Sequence, residues 1–289
     1  MLNMHNAYLT KRLRFLKDPL DVRTCDMSGE SSIVFFGVPW DGAVAGRPGA
    51  RYAPAHIRTA LCSLPKRFDL EDMGDIDVVI GDAEETWKRI KETAKALNNR
   101  RQLLIAGGDH SVSAFTYQGL AEGRRLGYIV LDAHLDLRTT SEGLTSGLTT
   151  RLIREYAKEA PITVIGVRPW ANPQYMFNLA EKLDVDYYTI DDLEKLGLDE
   201  VVDRVVSRHK DVQNYISIDL DVVDPAFAPG VNAPSPGGLS AREAIKLVAG
   251  LSKALRPIAV DTVEVSPPYD VGNVTSNLAA VLLYVSVWQ

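Results

Sequence analysis

Short apolar runs rich in β-branched residues recur along this chain and alternate with longer segments of helical patterning. Eight such runs, each bounded by Gly, Pro or Asp, occupy residues 33–38, 76–80, 103–106, 128–131, 162–167, 185–190, 215–218 and 258–265. Runs of this length predict buried strands, and segments such as 86–97 predict helices. Ser240 and Glu243 have the spacing of a capping box at a helix start. The alternation indicates an α/β fold with three α-β-α layers and a mostly parallel, roughly eight-stranded sheet.

The pattern continues without a repeat or an obvious linker, which favours one domain over residues 1–289, with residues 1–30 as an N-terminal extension packing on it. The chain is 46% hydrophobic, which is enough for a large core. Its net charge of −6 argues against nucleic acid as the main partner. Because we find neither an apolar signal core nor a stretch long enough to span a bilayer, we expect no membrane partner and a cytoplasmic protein.

Histidines and acidic residues gather where the predicted strands end. In parallel sheets, ligands bind beyond the carboxyl ends of the strands. Alternate side chains of an extended segment point the same way, so the polar side chains of one segment converge. Crowded carboxylates are costly unless a cation compensates them, which predicts a metal site. The candidate ligands are His110, Asp132, His134, Asp136, Asp219 and Asp221.

Four carboxylates and two imidazoles are too many for one zinc ion, and they suit two hard ions such as manganese. Two such ions lower the pKa of water towards about 7, which predicts a binuclear hydrolase.

Glu264 lies at the end of an apolar run, so it either pairs with a buried arginine or binds a cationic substrate. Asp224 precedes Pro225 and is interpreted as shaping a turn. A metallophosphoesterase is an alternative, although such enzymes use further histidines.

Five segments resemble signatures of the arginase/agmatinase (ureohydrolase) family, and they run from about residue 33 to 288. They are the glycine-rich region around 37–58, Gly107-Gly108-Asp109-His110-Ser111, Asp132-Ala133-His134-Leu135-Asp136, the segment 217–225, and the segment 263–268. The sequence of residues 264–270 resembles that of the agmatinase branch of the family. The resemblance implies an arginase-like fold and two Mn²⁺ per subunit. One ion would be held by His110, Asp132, Asp136 and Asp219, and the other by Asp132, His134, Asp219 and Asp221.

The resemblance also implies hydrolysis of a guanidino group to urea and an amine. Asp136 would orient the attacking hydroxide and relay its proton, and Glu264 would hold the small cationic guanidino substrate. The resemblance to the agmatinase branch favours hydrolysis of agmatine to putrescine, a reaction of polyamine biosynthesis. Aminopropylagmatine, arginine and guanidinobutyrate remain alternatives, as does a non-catalytic metal-binding subunit of an oligomer. A homo-oligomer, trimer or hexamer, is implied.

Two segments depart from the family pattern. Ser146 stands where the family usually has a histidine, and neither His56 nor His209 is an obvious replacement because both lie in segments with helical character. The loop at 231–234 also differs from the usual Gly/Thr-rich loop. We expect Ser146 and Asn232 to contact the substrate. The chemistry is therefore predicted more firmly than the substrate.

Overall fold

One sheet runs through the part of the chain that the computed structural model describes, which is residues 9–10, 30–139 and 143–288. Its strands are β1 (Leu9–Thr10), β2 (Ile33–Gly37), β3 (Glu71–Ile76), β4 (Gln102–Ala106), β5 (Leu126–Leu131), β6 (Ile162–Val167), β7 (Val185–Thr189), β8 (Gln213–Asp219) and β9 (Ala259–Val263). They lie in the order β1-β3-β2-β4-β9-β8-β5-β6-β7. Strands β2 to β9 are parallel, and β1 pairs antiparallel with β3. The predicted eight-stranded parallel sheet is confirmed, with β1 as an additional edge strand.

Helices cover both faces of the sheet, as the three-layer prediction requires. They are α1 (Ala53–Ser63), α2 (Ala83–Ala96), α3 (Ser111–Leu120), α4 (Thr149–Tyr156), α5 (Gln174–Lys182), α6 (Ile190–Leu196), α7 (Leu198–His209), α8 (Ala241–Leu255) and α9 (Val274–Val285). Successive strand residues point to opposite faces. Phe35 therefore joins the apolar cluster under α1 and α6 to α9, whereas Phe36 joins the cluster under α2 to α5.

The strand predicted at 76–80 is wrong, because β3 spans Glu71–Ile76 and the chain turns after it. Val79 donates its N–H to Thr86 Oγ1 at 2.9 Å, so that backbone group bonds the start of α2 instead of a neighbouring strand. Ile80 is 75% exposed. Strand β3 was missed because it carries acidic residues, and Asp75 is paired with the buried Arg58 at 2.6 Å.

The apolar segment near the C-terminus lies mostly in α9 and packs inside the chain. Leu278, Leu282 and Leu283 are buried in the same cluster as α1 and α8. The predicted N-terminal extension falls outside the described residues except for β1 and Glu30. No helix among the described residues combines the length and the apolar character needed to cross a membrane.

The middle of the sheet places the predicted ligands side by side. Strands β4, β9, β8 and β5 are consecutive neighbours, although they are far apart in the sequence. Because they are parallel, their carboxyl ends meet at one edge. The segments carrying His110, Glu264, Asp219 and Asp132 leave these four ends, and they build the site described next.

Candidate metal centre

A glycine turn after β4 delivers His110 to the centre. A Cβ on Gly108 would lie 1.6 Å from the backbone oxygen of Trp40, so only glycine allows the two segments to pass this closely. Asp109 then donates its N–H to the same Trp40 oxygen at 2.8 Å. The turn leads directly into α3. His110 is the N-cap residue of this helix and is 1% exposed.

Three carboxylates converge on the Nδ1 atom of His110. Their Oδ2 atoms lie 3.2 Å away for Asp132, 3.0 Å for Asp136 and 3.3 Å for Asp219. His110 Nδ1 and Asp132 Oδ2 are buried, and neither has a hydrogen-bond partner within the described part of the chain. Buried polar atoms are rarely left in this state unless they serve another ligand. The convergence of one imidazole nitrogen with carboxylate oxygens fits a divalent metal.

A second group of possible ligands shares Asp132 with the first. His134 Nδ1 lies 2.9 Å from Asp221 Oδ2 and 3.4 Å from Asp132 Oδ1. Ligand atoms of His110, Asp132 and Asp219 lie within 4.8 Å of one another, and so do those of Asp132, His134 and Asp221. The structure therefore brings all six residues predicted as ligands into one cluster with two overlapping positions for a cation.

Charge repulsion within this cluster is visible in the pKa values of its carboxyls. Burial and the charges of Asp221 and Asp132 raise the pKa of Asp219 well above its ordinary value. Burial and the charge of Asp132 raise the pKa of Asp136 to about 6. Burial disfavours the charge of Asp132 as well, but hydrogen bonds with His110 and His134 lower its pKa. The pKa values of Asp219 and Asp136 stay raised, so the protein's own groups do not neutralise the whole cluster. Divalent cations would do so, and metal binding would release the protons.

Glu264 faces the centre from the end of β9. Its backbone is in the left-handed region at φ 63°, which is uncommon for a residue with a side chain and is often found at functional sites. Its Oε1 accepts the backbone N–H of His110 at 2.7 Å, and its Oε2 accepts from the amide of Asn232. Burial and the charge of Asp109 raise the pKa of Glu264 to about 8. No described ion pair joins Glu264 to an arginine; its carboxylate is held by the His110 N–H and the Asn232 amide instead.

A cavity of about 390 Å³ opens above these residues. Its lining includes Glu264, Asp136, His134, Ser146 and Arg138. The side chain of His134 is 28% exposed, whereas that of Asp132 is 1% exposed. The cavity therefore gives a small molecule access to the carboxylates that line it.

Comparison with known proteins agrees with this geometry. The sequence matches the model of the Arginase family over residues 31–287.

The chain belongs to the arginase family.

It is 33% identical to a formimidoylglutamase of Geobacillus thermodenitrificans, over 90% of this chain and 86% of that protein. It is 32% identical to an agmatinase of Citrobacter koseri, over 96% of this chain and 92% of that protein. The solved structure of a proclavaminate amidino hydrolase from Streptomyces clavuligerus superposes with a TM-score of 0.80 at 31% identity, covering 90% of this chain and 92% of that one.

Ser146, which the family resemblance places where a histidine is expected, lines the cavity and bonds to a neighbouring part of its wall. Its Oγ accepts the N–H of Ala45 at 3.1 Å, and its own N–H donates to the carbonyl of Ala43 at 2.7 Å. Ala45 is itself part of the cavity wall. Ser146 therefore fixes the position of the glycine-rich loop at 42–46 relative to the site.

Asn232 does not appear among the residues that line the cavity. It is 2% exposed, its side-chain amide donates to Glu264, and its backbone N–H donates to the Glu264 carbonyl at 3.1 Å. In this arginase-family chain, Asn232 holds Glu264 in place from behind.

Asp224 shapes its turn as expected, because its carboxylate accepts the N–H of Ala226 at 2.9 Å and that of Gly237 at 2.7 Å.

Two residues behind His110 were missed by sequence reasoning. His110 Nε2 lies 3.2 Å from Ser217 Oγ, and Ser217 donates to Asp261 Oδ1 at 2.6 Å. Asp261 also accepts from Ser113 at 2.6 Å and from Tyr215. Such networks fix the orientation of metal-binding imidazoles. The available signal was Asp261 itself, a charged residue in the middle of a buried apolar strand.

Proposed function

We propose that this chain is a two-metal amidinohydrolase that cleaves a guanidino or related amidine group. The observation that carries the proposal is the pair of overlapping ligand groups sharing Asp132, faced by the buried carboxylate of Glu264 in one cavity. Membership of the arginase family supports the same class of reaction.

One metal would be held by His110, Asp132, Asp136 and Asp219, and the other by Asp132, His134, Asp219 and Asp221. This oxygen-rich set favours hard ions, and Mn²⁺, two per subunit, is our choice. When bound, the two ions supply water of lowered pKa at neutral pH.

The residues of the chain perform the remaining tasks. Glu264, fixed by His110 N–H and Asn232, would bind the amidinium through charge-assisted hydrogen bonds and hold its carbon in position. Water adds to that carbon, and the C–N bond to the amine breaks. Asp136 would accept the proton from water and pass it to the leaving nitrogen. A guanidine yields urea and an amine, and a formimidoyl compound yields formamide and an amine.

The relatives are named for different activities, so they support a class of substrate rather than one particular compound. A formimidoylglutamase and an agmatinase match this chain at 33% and 32% identity. Agmatine, giving putrescine and urea, is the compound predicted from the sequence, and aminopropylagmatine, arginine and guanidinobutyrate are the other guanidines to compare. A homotrimer or homohexamer in the cytoplasm is part of the proposal.

A product assay on the purified full chain tests this function. We expect about two Mn²⁺ per chain by elemental analysis, and release of urea or formamide from at least one amidine in a panel of guanidino and formimidoyl compounds. A generic phosphoester serves as the control substrate. Binding of no metal together with no product from any amidine would instead support a non-catalytic subunit, and faster phosphoester turnover would support a phosphoesterase.

A further inference from the structure

Arg168 bonds to both chain segments that supply His134 and Asp221, two of the possible ligands of the second metal. It directly follows β6, the strand beside β5. Its backbone N–H donates to the carbonyl of Ala133 at 3.0 Å, and its Nη2 donates to the carbonyl of Val222 at 2.8 Å. Ala133 is the residue before His134, and Val222 is the residue after Asp221. Arg168 therefore connects the two segments, although the reaction described above assigns it no task.

The guanidinium of Arg168 is enclosed by backbone. Arg168 is fully buried, and a Cβ on Gly238 would lie 1.7 Å from its Nη2, so the guanidinium fits only against a glycine. Its Nε and Nη1 have no hydrogen-bond partner within the described part of the chain. The carbonyl of Val222 already accepts the N–H of Leu239 at 3.0 Å, so it does not need Arg168 as a donor. A buried cation with so few bonds is costly, and stability alone explains it poorly.

The acids of the metal centre act on this buried cation. Burial lowers the pKa of Arg168, and the charges of Asp221 and Asp132 oppose that shift. Arg168 forms no ion pair among those described, so it stays close to the ligands without binding their carboxylate oxygens. The ligand atoms of Asp132 and Asp221 are thus left available for a cation.

Asn172 extends the connection to the backbone on both sides of His134. Its Nδ2 donates to the carbonyls of Ala133 and Arg168, each at 2.9 Å. Its Oδ1 accepts the N–H of Leu135 at 2.8 Å. The segment that carries His134 is therefore tied to the residues that follow β6.

We propose that Arg168 is a positioning residue for the second metal, because it holds the segments of His134 and Asp221 at a fixed separation. This role rests on the proposed two-metal function and adds a residue outside the six ligands. The turn that carries His110 is held by the carbonyl of Trp40 instead. Loss of the Arg168 guanidinium should therefore weaken the second metal more than the first.

Calorimetric titration of the full metal-free chain with Mn²⁺ tests this role. In Arg168→Gln we expect the affinity of one position to fall by about 10- to 100-fold, the range for residues that orient a metal ligand. The affinity of the other position should stay close to that of wild type. His134→Asn identifies the affected position: in that background, the affinity of the remaining position should be the same with and without Arg168→Gln.

Electron paramagnetic resonance adds a readout that lower stability alone does not change. Two neighbouring Mn²⁺ ions couple their spins, whereas an isolated Mn²⁺ ion gives a resolved hyperfine spectrum. At a Mn²⁺ concentration that just fills both positions of wild type, Arg168→Gln should show the isolated-ion spectrum. Excess Mn²⁺ should restore the coupled spectrum.

Arg154→Gln is the matched control. Arg154 is also buried, and it donates to the carbonyls of Lys158 at 2.7 Å and Asp184 at 2.9 Å. These two residues precede β6 and β7, so they lie at the opposite edge of the sheet from the metal centre. Arg154→Gln should lower the thermal unfolding midpoint and keep the wild-type titration and spectrum.

Arg168→Lys keeps a buried cation and provides a second test if Arg168→Gln does not fold. It should lose affinity at the same position as Arg168→Gln, but by a smaller factor, since lysine lacks the planar fork of donors. Wild-type affinity at both positions in these variants would overturn the role of Arg168. An equal loss at both positions would overturn it as well.

These titrations contain no substrate, so they separate this role from the proposed reaction. If two Mn²⁺ bind, no amidine is hydrolysed and Arg168→Gln weakens only the second metal, the proposed reaction is wrong and the role of Arg168 stands. If amidines are hydrolysed and Arg168→Gln binds both metals as wild type does, the reaction stands and the role of Arg168 is wrong. A wild-type chain that binds no Mn²⁺ would overturn both.

Discussion

Asp132 is the residue shared by the two groups of possible metal ligands. One of its oxygens faces His110 and the other faces His134. His110 also contacts Asp136 and His134 also contacts Asp221, but Asp132 is the carboxylate that lies beside both histidines. Its loss should therefore affect both metals together.

Asp132→Asn removes the shared charge with little change in size. We expect the metal affinity of both positions to fall by more than about 100-fold, the upper end of the loss for an outer-shell partner, and activity to fall with it. Elemental analysis and calorimetric titration with Mn²⁺ measure the effect. Asp69→Asn, which changes an exposed aspartate paired with Lys66, is the control. Retention of two metals with full activity would refute the assignment.

Single residues also show where sequence reasoning reached its limit. The clustering of the six candidate ligands was predictable because acids and histidines at the ends of buried strands are costly unless a cation compensates them. The contact between Asn232 and Glu264 was not predictable, because 32 residues separate the two and only the folded loop joins them. Ser146 was recognised as unusual, but its bond to Ala45 depends on a loop 101 residues earlier.

At the scale of elements, the turn after β4 is the most tightly packed connection of the site. Gly108 passes against the backbone of Trp40, and the residues that follow include His110. A side chain here would push on a backbone atom, which has no alternative rotamer to adopt. The geometry of the ligand therefore depends on the absence of a Cβ two residues earlier.

Gly108→Ala should destabilise the fold by at least about 1–3 kcal/mol, the usual cost of overpacking. It should also reduce metal binding, because His110 moves with the turn. Thermal unfolding midpoints and Mn²⁺ titration test this. The control is Gly81→Ala, since a Cβ on Gly81 would meet nothing within 4 Å and Gly81 does not have a positive φ. Equal midpoints for the two variants would contradict the packing argument.

The end of α7 places a histidine in the core with a structural role. His209 is fully buried, with Nδ1 2.8 Å from Asn214 Oδ1 and Nε2 3.0 Å from Thr163 Oγ1. Burial lowers the pKa of His209 to about 4, although the hydrogen bond with Asn214 opposes the shift. His209 is neutral in the folded protein and lies outside the six-residue cluster, so it does not replace the family histidine.

This depressed pKa predicts acid sensitivity in the metal-free protein. The contribution of neutral His209 to the free energy of unfolding is fully present above the unfolded pKa of about 6.5. It is lost as the pH falls toward 4, because only the unfolded chain then gains the proton. Between pH 7 and 5, His209 should account for about 2 kcal/mol of lost unfolding free energy. Urea unfolding of His209→Gln should show a smaller loss than wild type. His56→Gln, at an exposed position on α1, should match wild type; equal pH dependence in all three proteins would contradict this.

At the scale of the whole molecule, the candidate metal centre joins four strands that are distant in sequence. Ligands from the ends of β4, β5 and β8 meet Glu264 from β9. Cations would relieve repulsion among carboxylates whose pKa values are raised by burial and by one another. Metal binding should therefore be coupled to the stability of the central sheet.

Removal of metal with a chelator should lower the thermal unfolding midpoint, and added Mn²⁺ should restore it. Ligand that binds only the folded state stabilises it by about 2.7 kcal/mol per site when free metal is 100 times its Kd. Asp132→Asn is the control, and its midpoint should respond little to chelator or Mn²⁺. A wild-type midpoint that does not depend on metal would contradict the coupling.

The sequence by itself determined the class of fold, the parallel sheet and the six polar residues that gather at the candidate site, because these depend on local periodicity and on the cost of burying acids. It placed one strand wrongly at 76–80, since the acidic β3 is compensated by Arg58 from another element. Only the tertiary structure decided the strand order that makes β4, β9, β8 and β5 neighbours, the network behind His110, and the position of Arg138 in the cavity wall. These features depend on contacts between residues far apart in the chain, which local periodicity does not encode.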